Sequence, residues 1–196
     1  MQVTESRIYS PEEYLTLEET ADHKSEYIDG LIIPMAGGTT NHNRIAGNLY
    51  AALNFGLRQQ DYEVFIRDVR LSIPKRRIYT YPDVMVIAGD PQYSLGRTDT
   101  VTNPLVIIEV LSDSTSNYDR EGKFAAYRTL ESFQEYLLID QTQIYAEQYW
   151  RTANKRWSLR EYDAEDGAIE LNSVAFQISL VDLYHRVKFE APESAV

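Results

Sequence analysis

Two segments near the middle of the chain, 82–88 and 104–111, are short, rich in β-branched apolar residues and bounded by turn residues. A strand with one exposed face alternates apolar and polar side chains, whereas a strand covered on both faces is apolar almost throughout. The two segments therefore predict central strands of a sheet with a layer on each side. Each carries one carboxylate: Asp83 precedes the first apolar run, and Glu109 interrupts the second.

The first half of the chain predicts alternating helices and strands. Ser10-Pro11-Glu12-Glu13 is typical of a capped helix N-terminus. Asp29-Gly30 predicts a two-residue turn between strands 25–28 and 31–35. Apolar residues recur every four positions over 41–60, which indicates an amphipathic helix. The alternation over 62–73 slips in phase near Arg67-Asp68, which predicts one long strand with a bulge.

The second half predicts a polar loop at 112–117, a helix over 118–130 and mostly strands after that. The segments 135–139, 144–151, 156–162 and 169–171 fit an antiparallel extension, and Ser179 caps a last helix over 180–185. We therefore expect one α/β domain over 1–196, with a mixed β-sheet flanked by helices. Its core lies at about 10–140 and its β-rich extension at about 141–190.

Charge and composition exclude several function classes. The 196 residues carry a net charge of −11 at pH 7, which is the wrong sign for a protein that coats nucleic acid indiscriminately. The absence of Cys excludes thiolate nucleophiles, thiolate zinc sites and disulfides. Because there are only three His, any metal site would consist mostly of oxygen ligands, which favour a hard ion such as Mg²⁺ or Mn²⁺. With neither a signal-peptide pattern nor a long apolar run, we expect a cytoplasmic protein that does not enter the membrane.

A carboxylate in a strand buried on both faces is costly unless it is paired or binds a metal ion. If the strands that carry Asp83 and Glu109 are neighbours, the two carboxylates meet at one point and provide the minimum set for a divalent cation, with water completing the coordination. The residues leave a second interpretation open, in which Glu109 pairs with a buried Arg and Asp83 caps a turn.

Lys123 is the candidate third member of the site. The helix that carries it follows the Glu109 strand after a short loop, which returns the helix across the C-terminal end of that strand. An ammonium there can orient an attacking water and stabilise charge on a phosphate. The alternative is a solvated lysine on the helix surface.

Five segments together resemble the PD-(D/E)XK nuclease superfamily, and within it a large bacterial group of restriction-endonuclease-like proteins. The resemblance extends from about Ser10 to Leu183. The segments that carry it are Ser25-Glu26-Tyr27-Ile28-Asp29-Gly30, Asn41-His42, Tyr81-Pro82-Asp83-Val84, Ile107-Ile108-Glu109-Val110-Leu111-Ser112, and Tyr118-Asp119-Arg120-Glu121-Gly122-Lys123 through Tyr127.

The resemblance implies a restriction-endonuclease-like fold and a set of site residues. The metal ligands would be Asp83, Glu109 and the Val110 carbonyl, with Glu26 as the acidic residue contributed near the first strand. The usual catalytic lysine lies two positions after the strand acid, where this sequence has Leu111. In this group the lysine is relocated to the following helix, which assigns the role to Lys123. An exposed strand-edge position is the alternative for Glu26.

Two more residues are accessory candidates. His42, in the first turn of its helix, either faces the site or caps the helix, and Tyr127 either bonds Lys123 or a phosphate or belongs to the core. The basic run 75–77 suits a phosphate contact or a solvated hairpin tip.

The expected function is Mg²⁺- or Mn²⁺-dependent hydrolysis of DNA phosphodiester bonds. Because one such site cuts one strand, we expect a homodimer, with the aromatic-rich strands over 136–162 as the interface. Two alternatives are a catalytically silent nuclease-like fold that binds or regulates, and a hydrolase that acts on RNA or nucleotides. The charge of −11 and Leu111 favour the silent fold, whereas Asp83, Glu109 and Lys123 favour an enzyme.

Overall fold

The computed structural model describes residues 7–94, 96–112 and 116–189. Its helices are α1 (Pro11–Glu18), α2 (Thr40–Leu57), α3 (Ser116–Tyr118), α4 (Phe124–Tyr127) and α5 (Leu180–Leu183), with a π-helical segment (Asp119–Lys123) between α3 and α4 and a 3₁₀ turn (Pro74–Arg76). The strands are β1 (Ser25–Ile28), β2 (Leu31–Pro34), β3 (Tyr62–Ile66), β4 (Arg70–Ile73), β5 (Ile78–Thr80), β6 (Val84–Ala88), β7 (Thr100–Val101), β8 (Val106–Leu111), β9 (Glu135–Asp140), β10 (Tyr145–Ala153), β11 (Arg156–Asp163), β12 (Ala168–Glu170) and β13 (Gln177–Ser179).

The N-terminal predictions are confirmed. Ser10 and Glu13 form the reciprocal capping box of α1, so the first free amides of the helix have acceptors. β1 and β2 pair antiparallel, with Ile28 opposite Leu31. The two turn residues, Asp29 and Gly30, both have positive φ, at 43° and 101°, as the tight turn requires.

The larger strands form two sheets, where the sequence predicts a single sheet. One has the order β2-β1-β5-β4-β7, and the other has the order β11-β10-β9-β8-β6-β3. The separate pair β12-β13 completes the described strands. The second sheet is mixed, because β8 pairs antiparallel with β6 and parallel with β9. The expected mixed α/β fold with an antiparallel C-terminal extension is therefore confirmed.

The prediction of one long strand over 62–73 is wrong. β3 ends at Ile66 in the second sheet, and β4 begins at Arg70 in the first. Arg67 between them has φ 53°, a left-handed conformation that turns the chain instead of bulging it. The phase slip near Arg67-Asp68 therefore marks a corner between two sheets. The basic run 75–77 is exposed at the β4–β5 connection, as a hairpin tip.

β6 and β8 are central strands of the second sheet, as predicted. Every β8 side chain is buried, including Glu109. Helix α2 covers one face, and its buried stripe includes Ile45, Leu49, Leu53 and Leu57. Thr39 caps this helix by accepting the amide of His42, so it begins close to the predicted position and ends three residues early.

The other face of the second sheet is covered by the helical stretch 116–127, a shorter helix than the predicted 118–130. The preceding loop prediction falls partly on 113–115, outside the described residues. Phe124 stacks on Tyr136 of β9, at 5.4 Å between ring centroids, and contacts Tyr149 and Trp157. Packing within the chain thus accounts for much of the aromatic content of 136–162. Homodimerisation through these strands stays a prediction.

Candidate functional site

Asp83 and Glu109 meet where β6 and β8 lie side by side. The backbone amide of Asp83 donates to Glu109 Oε2 at 3.2 Å, and the amide of Val110 donates to Asp83 Oδ2 at 2.9 Å. Asp83 and Glu109 are 8% and 3% exposed. Register fixes this arrangement, because Val84 of β6 is paired with Ile108 of β8 and each carboxylate is adjacent to that pair.

Lys123 projects into the same place from the π-helical segment. Its Nζ lies 3.2 Å from Glu109 Oε1, 3.5 Å from Glu26 Oε1 and 3.1 Å from Asp119 Oδ1, and its side chain is 11% exposed. A solvated lysine on the helix surface, the alternative, does not fit these contacts. Short π-helical segments are frequent at functional sites, and this one contains both Asp119 and Lys123.

Asp119 is a site residue that the sequence analysis missed. Its side chain is 3% exposed, and Oδ1 has no hydrogen-bond donor among the described residues, so its contact with Lys123 is an ion pair without a directed hydrogen bond. The available signal was the spacing: an acid four residues before a lysine on a helix shares its face.

Glu26 is buried, at 9% exposed, so the alternative of an exposed strand-edge residue is wrong. Besides its ion pair with Lys123, Oε1 accepts a hydrogen bond from the Thr80 hydroxyl on the neighbouring β5. Glu26 therefore contacts the lysine of the site directly. Its role as a metal ligand stays a prediction.

His42 faces the site, and it does not cap its helix. Its Nε2 lies 3.1 Å from Asp83 Oδ2, and Thr39 supplies the N-cap. A cation that the sequence analysis did not consider, Arg67 at the corner after β3, lies with Nε 3.6 Å from Asp83 Oδ1. Asp83 therefore contacts a backbone amide, an imidazole and a guanidinium, and it does not cap a turn as the alternative interpretation had it.

Tyr127 combines the two alternatives that the sequence leaves open. Its hydroxyl donates to Glu109 Oε1 at 2.7 Å, and its fully buried ring packs against Phe133 and Tyr136. The partner of its hydroxyl is thus Glu109, where the sequence suggested Lys123 or a phosphate. The cation beside Glu109 is Lys123, not the Arg of the alternative interpretation.

Comparison with known protein families places the chain. The model of the family Uma2, described as "Putative restriction endonuclease", matches residues 11–181. The chain belongs to the Uma2 family. The resemblance drawn from the sequence is therefore confirmed at the level of the family.

Two curated proteins of Synechocystis sp. (strain ATCC 27184 / PCC 6803 / Kazusa) are similar to this Uma2 chain. "Uncharacterized protein sll1609" is 44% identical over 172 residues, 88% of this chain and 97% of that protein. "Uncharacterized protein slr1290" is 36% identical over 180 residues, 92% of this chain and 93% of that protein. Both relatives match along nearly their whole length.

A solved structure has the same fold as this Uma2 chain. It is the crystal structure of "a putative nuclease belonging to DUF820" from Anabaena variabilis ATCC 29413, and it aligns with a TM-score of 0.73. The alignment covers 90% of this chain and 97% of that chain at 21% sequence identity.

The charges of the Uma2 site affect one another strongly. Burial raises the pKa of Glu109 to about 8; Lys123 and the Tyr127 hydroxyl oppose the shift, and the nearby carboxylates of Asp119 and Asp83 add to it. Burial lowers the pKa of Lys123, but the carboxylates of Glu109, Glu26 and Asp119 outweigh that effect and leave its pKa well above the ordinary value. Lys123 is thus a cation throughout the neutral range, and Glu109 is readily protonated.

One cleft of about 1180 Å³ joins these positions, and its lining residues include Glu26, His42, Asp83, Glu109 and Lys123. No helix within the described ranges is long and apolar enough to cross a membrane.

The donor set of the site suits a hard divalent cation. It contains four buried carboxylates, Glu26, Asp83, Glu109 and Asp119, and two full cations beside them, Lys123 and Arg67. The net charge is negative, and oxygen is the ligand that Mg²⁺ and Mn²⁺ prefer. Within the described part of the chain, no group of three or more His, Asp or Glu side chains is arranged to hold a metal ion. A metal held there would therefore depend on two carboxylates, a backbone carbonyl and water.

Proposed function

We propose that this Uma2 protein is a metal-dependent endonuclease that hydrolyses phosphodiester bonds of DNA. The observation that carries the proposal is the convergence of Asp83, Glu109 and Lys123 in one cleft, although 40 positions separate the first from the last along the chain. The description of the family as "Putative restriction endonuclease" supports the same chemistry.

Asp83 and Glu109 would hold Mg²⁺ or Mn²⁺ together with the Val110 carbonyl. When bound, such an ion lowers the pKa of a water molecule and neutralises charge on a scissile phosphate. Glu109 is suited to this role because its raised pKa lets it carry a proton without the ion and release it when the ion binds. His42 and Arg67 contact Asp83 and would hold its carboxylate in one orientation.

Lys123 would act on the substrate directly. Its ammonium is charged, buried and held in place by contacts with Glu109, Glu26 and Asp119, so it provides a fixed positive charge near the phosphate at which negative charge develops. Tyr127 and Asp119 would position Glu109 and Lys123 respectively. We infer that cutting both strands of a duplex requires two copies of this site, and hence a homodimer.

A plasmid cleavage assay tests the proposal. We expect the wild type to nick or linearise supercoiled DNA with Mn²⁺ or Mg²⁺ and not with EDTA. Asp83→Asn should lower the rate by about a hundredfold or more, because it removes a ligand charge at the reacting centre. Asp90→Asn, at the exposed end of the same β6 region, should leave the rate unchanged.

Two results of this assay would contradict the proposal. Cleavage of RNA without cleavage of DNA would favour a hydrolase of RNA. Absence of cleavage on plasmid, single-stranded circular DNA and RNA, in a protein whose melting temperature rises with Mn²⁺, would favour a catalytically silent binding fold.

The role of Glu26 can be tested by metal binding alone. Because Glu26 contacts Lys123 and the Thr80 hydroxyl, we expect Glu26→Gln to change the Kd for Mn²⁺ by only a few-fold, whereas Asp83→Asn should weaken Mn²⁺ binding much more. Isothermal titration calorimetry with Mn²⁺ measures both. Equal losses in the two variants would instead make Glu26 a metal ligand.

A further inference from the structure

One rim of the cleft is built from the start of α2 and from the segment that follows α5. Asn41 Nδ2 donates to the Lys188 carbonyl at 2.7 Å, and the Lys188 amide donates back to Asn41 Oδ1 at 3.2 Å. About two turns further along α2, Asn48 Nδ2 donates to the carbonyls of Leu183 and His185, at 3.0 and 3.1 Å. Two asparagines of one helix therefore hold this C-terminal segment along the cleft.

The rim presents two cations to the cleft without an acidic partner among the described residues. Arg44 Nη1 contacts only neutral oxygens, Thr40 Oγ1 at 3.3 Å and Asn41 Oδ1 at 3.4 Å, and Lys188 bonds through its backbone. Both residues line the cleft. In a protein of net charge −11, two such cations on one edge of the cleft give that edge a local positive charge, which attracts an anion.

The N-terminus of α2 adds to the same edge. Its first turn contains no acidic residue, so the positive end of the helix dipole is not neutralised there. His42 in that turn is 8% exposed and lines the cleft, and its Nδ1 has no partner among the described residues. The backbone of Gly38 packs close to this ring, since a Cβ at that position would lie only 3.1 Å from Nδ1.

An aromatic residue, Phe189, lies on the same rim. Its ring lines the cleft, is 39% exposed and rests against Tyr184 at 5.7 Å between centroids. Aromatic rings next to a cationic track stack on the bases of single strands, because each base has a free face there. In a duplex the base faces are occupied by neighbouring base pairs, so this ring would have nothing to stack on.

We propose that Arg44, Lys188 and Phe189 form a binding subsite for single-stranded nucleic acid, in which phosphates contact the two cations and an unpaired base stacks on Phe189. The inference rests on the proposed function and narrows it: the strand cut in the cleft has an unpaired base next to the scissile phosphate, so a duplex substrate must open locally at that point.

Fluorescence anisotropy in EDTA, where the metal-dependent cleavage is absent, tests the subsite. The probes are a short labelled DNA strand and the duplex of the same sequence. We expect the wild type to bind the single strand more tightly, and Phe189→Ala to weaken single-strand binding about fivefold or more, the effect of one lost base stack. Phe189→Leu, which retains packing on Tyr184, should show the same loss. Phe55→Ala, at an exposed ring near the other end of α2, should show none.

The cations have a separate readout. Arg44→Ala and Lys188→Ala should each reduce the slope of log affinity against log salt by about 0.7, the value for one lost phosphate contact on a single strand. The control Arg58→Ala, whose guanidinium lies over the Phe55 ring, should leave the slope unchanged.

The outcomes separate the two proposals. The subsite would be overturned if both Phe189 variants bound the single strand as tightly as the wild type, or if the wild type preferred the duplex. Metal-dependent plasmid cleavage by the same preparation would still support the proposed nuclease. If single strands bind through Phe189 but no nucleic acid is cut with Mn²⁺, the subsite stands and the nuclease fails.

Discussion

Replacing Lys123 with Met is expected to lower DNA cleavage by about a hundredfold or more, the scale of a lost electrostatic or acid-base contributor. Lys123 is the cation that contacts Glu109, Glu26 and Asp119 within one cleft. The Kd for Mn²⁺ should stay within a few-fold, since the substitution removes no oxygen ligand. Single-turnover cleavage and calorimetric Mn²⁺ titration measure the two quantities.

Stability is a necessary companion measurement for Lys123→Met. Loss of a buried cation leaves its carboxylate partners unpaired, which costs on the order of 3 to 5 kcal/mol. If this variant does not fold, Lys123→Gln keeps a polar donor in its place. The control is Lys75→Met, at the exposed surface pair with Glu131. A folded Lys123 variant that cleaves at the wild-type rate would contradict the catalytic role.

Replacing Glu109 with Gln is expected to remove most of the thermal stabilisation that Mn²⁺ gives the wild type. That stabilisation follows RT ln(1 + [L]/Kd), about 2.7 kcal/mol at a hundredfold excess over Kd. Without metal, the variant should be as stable as the wild type or more stable at pH 7, because burial keeps Glu109 largely protonated and Lys123 retains Glu26 and Asp119 as partners. Thermal melts with and without Mn²⁺ measure both effects.

The pH dependence gives this prediction a sign. The pKa of Glu109 is about 8 in the folded protein against an ordinary value of 4.5, so the folded state binds more protons between these values. Stability of the wild type therefore falls as pH rises through that window, and Glu109→Gln lacks this contribution. The stability of Glu109→Gln relative to that of the wild type should therefore increase from pH 5 to pH 8. The control Glu131→Gln, at an exposed carboxylate that pairs with Lys75 on the surface, should show no such pH dependence of stability.

A contrary result is well defined for Glu109. Suppose that the free energy of unfolding of metal-free Glu109→Gln is several kcal/mol below that of the wild type, and that Mn²⁺ does not raise the melting temperature of the wild type. Glu109 is then a structural partner of Lys123. The metal-dependent mechanism would then be wrong, since breaking a buried pair costs on the order of 3 to 5 kcal/mol.

Most of the local structure follows from the sequence alone. The capping box at Ser10, the turn at Asp29-Gly30, the stripe of α2 and the two apolar strands are all encoded within a few residues, because caps, turns and periodic burial depend on near neighbours. The sequence also marked Glu109, since a carboxylate inside a buried strand conflicts with its surroundings. Its family motifs led to Lys123 although Leu111 occupies the usual position.

The placement of the strands in the two sheets and the contacts of each site residue depend on long-range packing. The chain turns at Arg67 from one sheet to another, and nothing local distinguishes that corner from a bulge. The contacts of Lys123 with Asp119 and Glu26 depend on the π-helical segment and on β1 approaching the same cleft from the other sheet. Likewise, Phe189 lies at the cleft rim because Asn41 binds the backbone of the preceding residue, Lys188. Asn41 and Lys188 are 147 positions apart in the sequence. Such contacts join residues distant in sequence, so they are set by packing and register and leave no periodic signal in the chain.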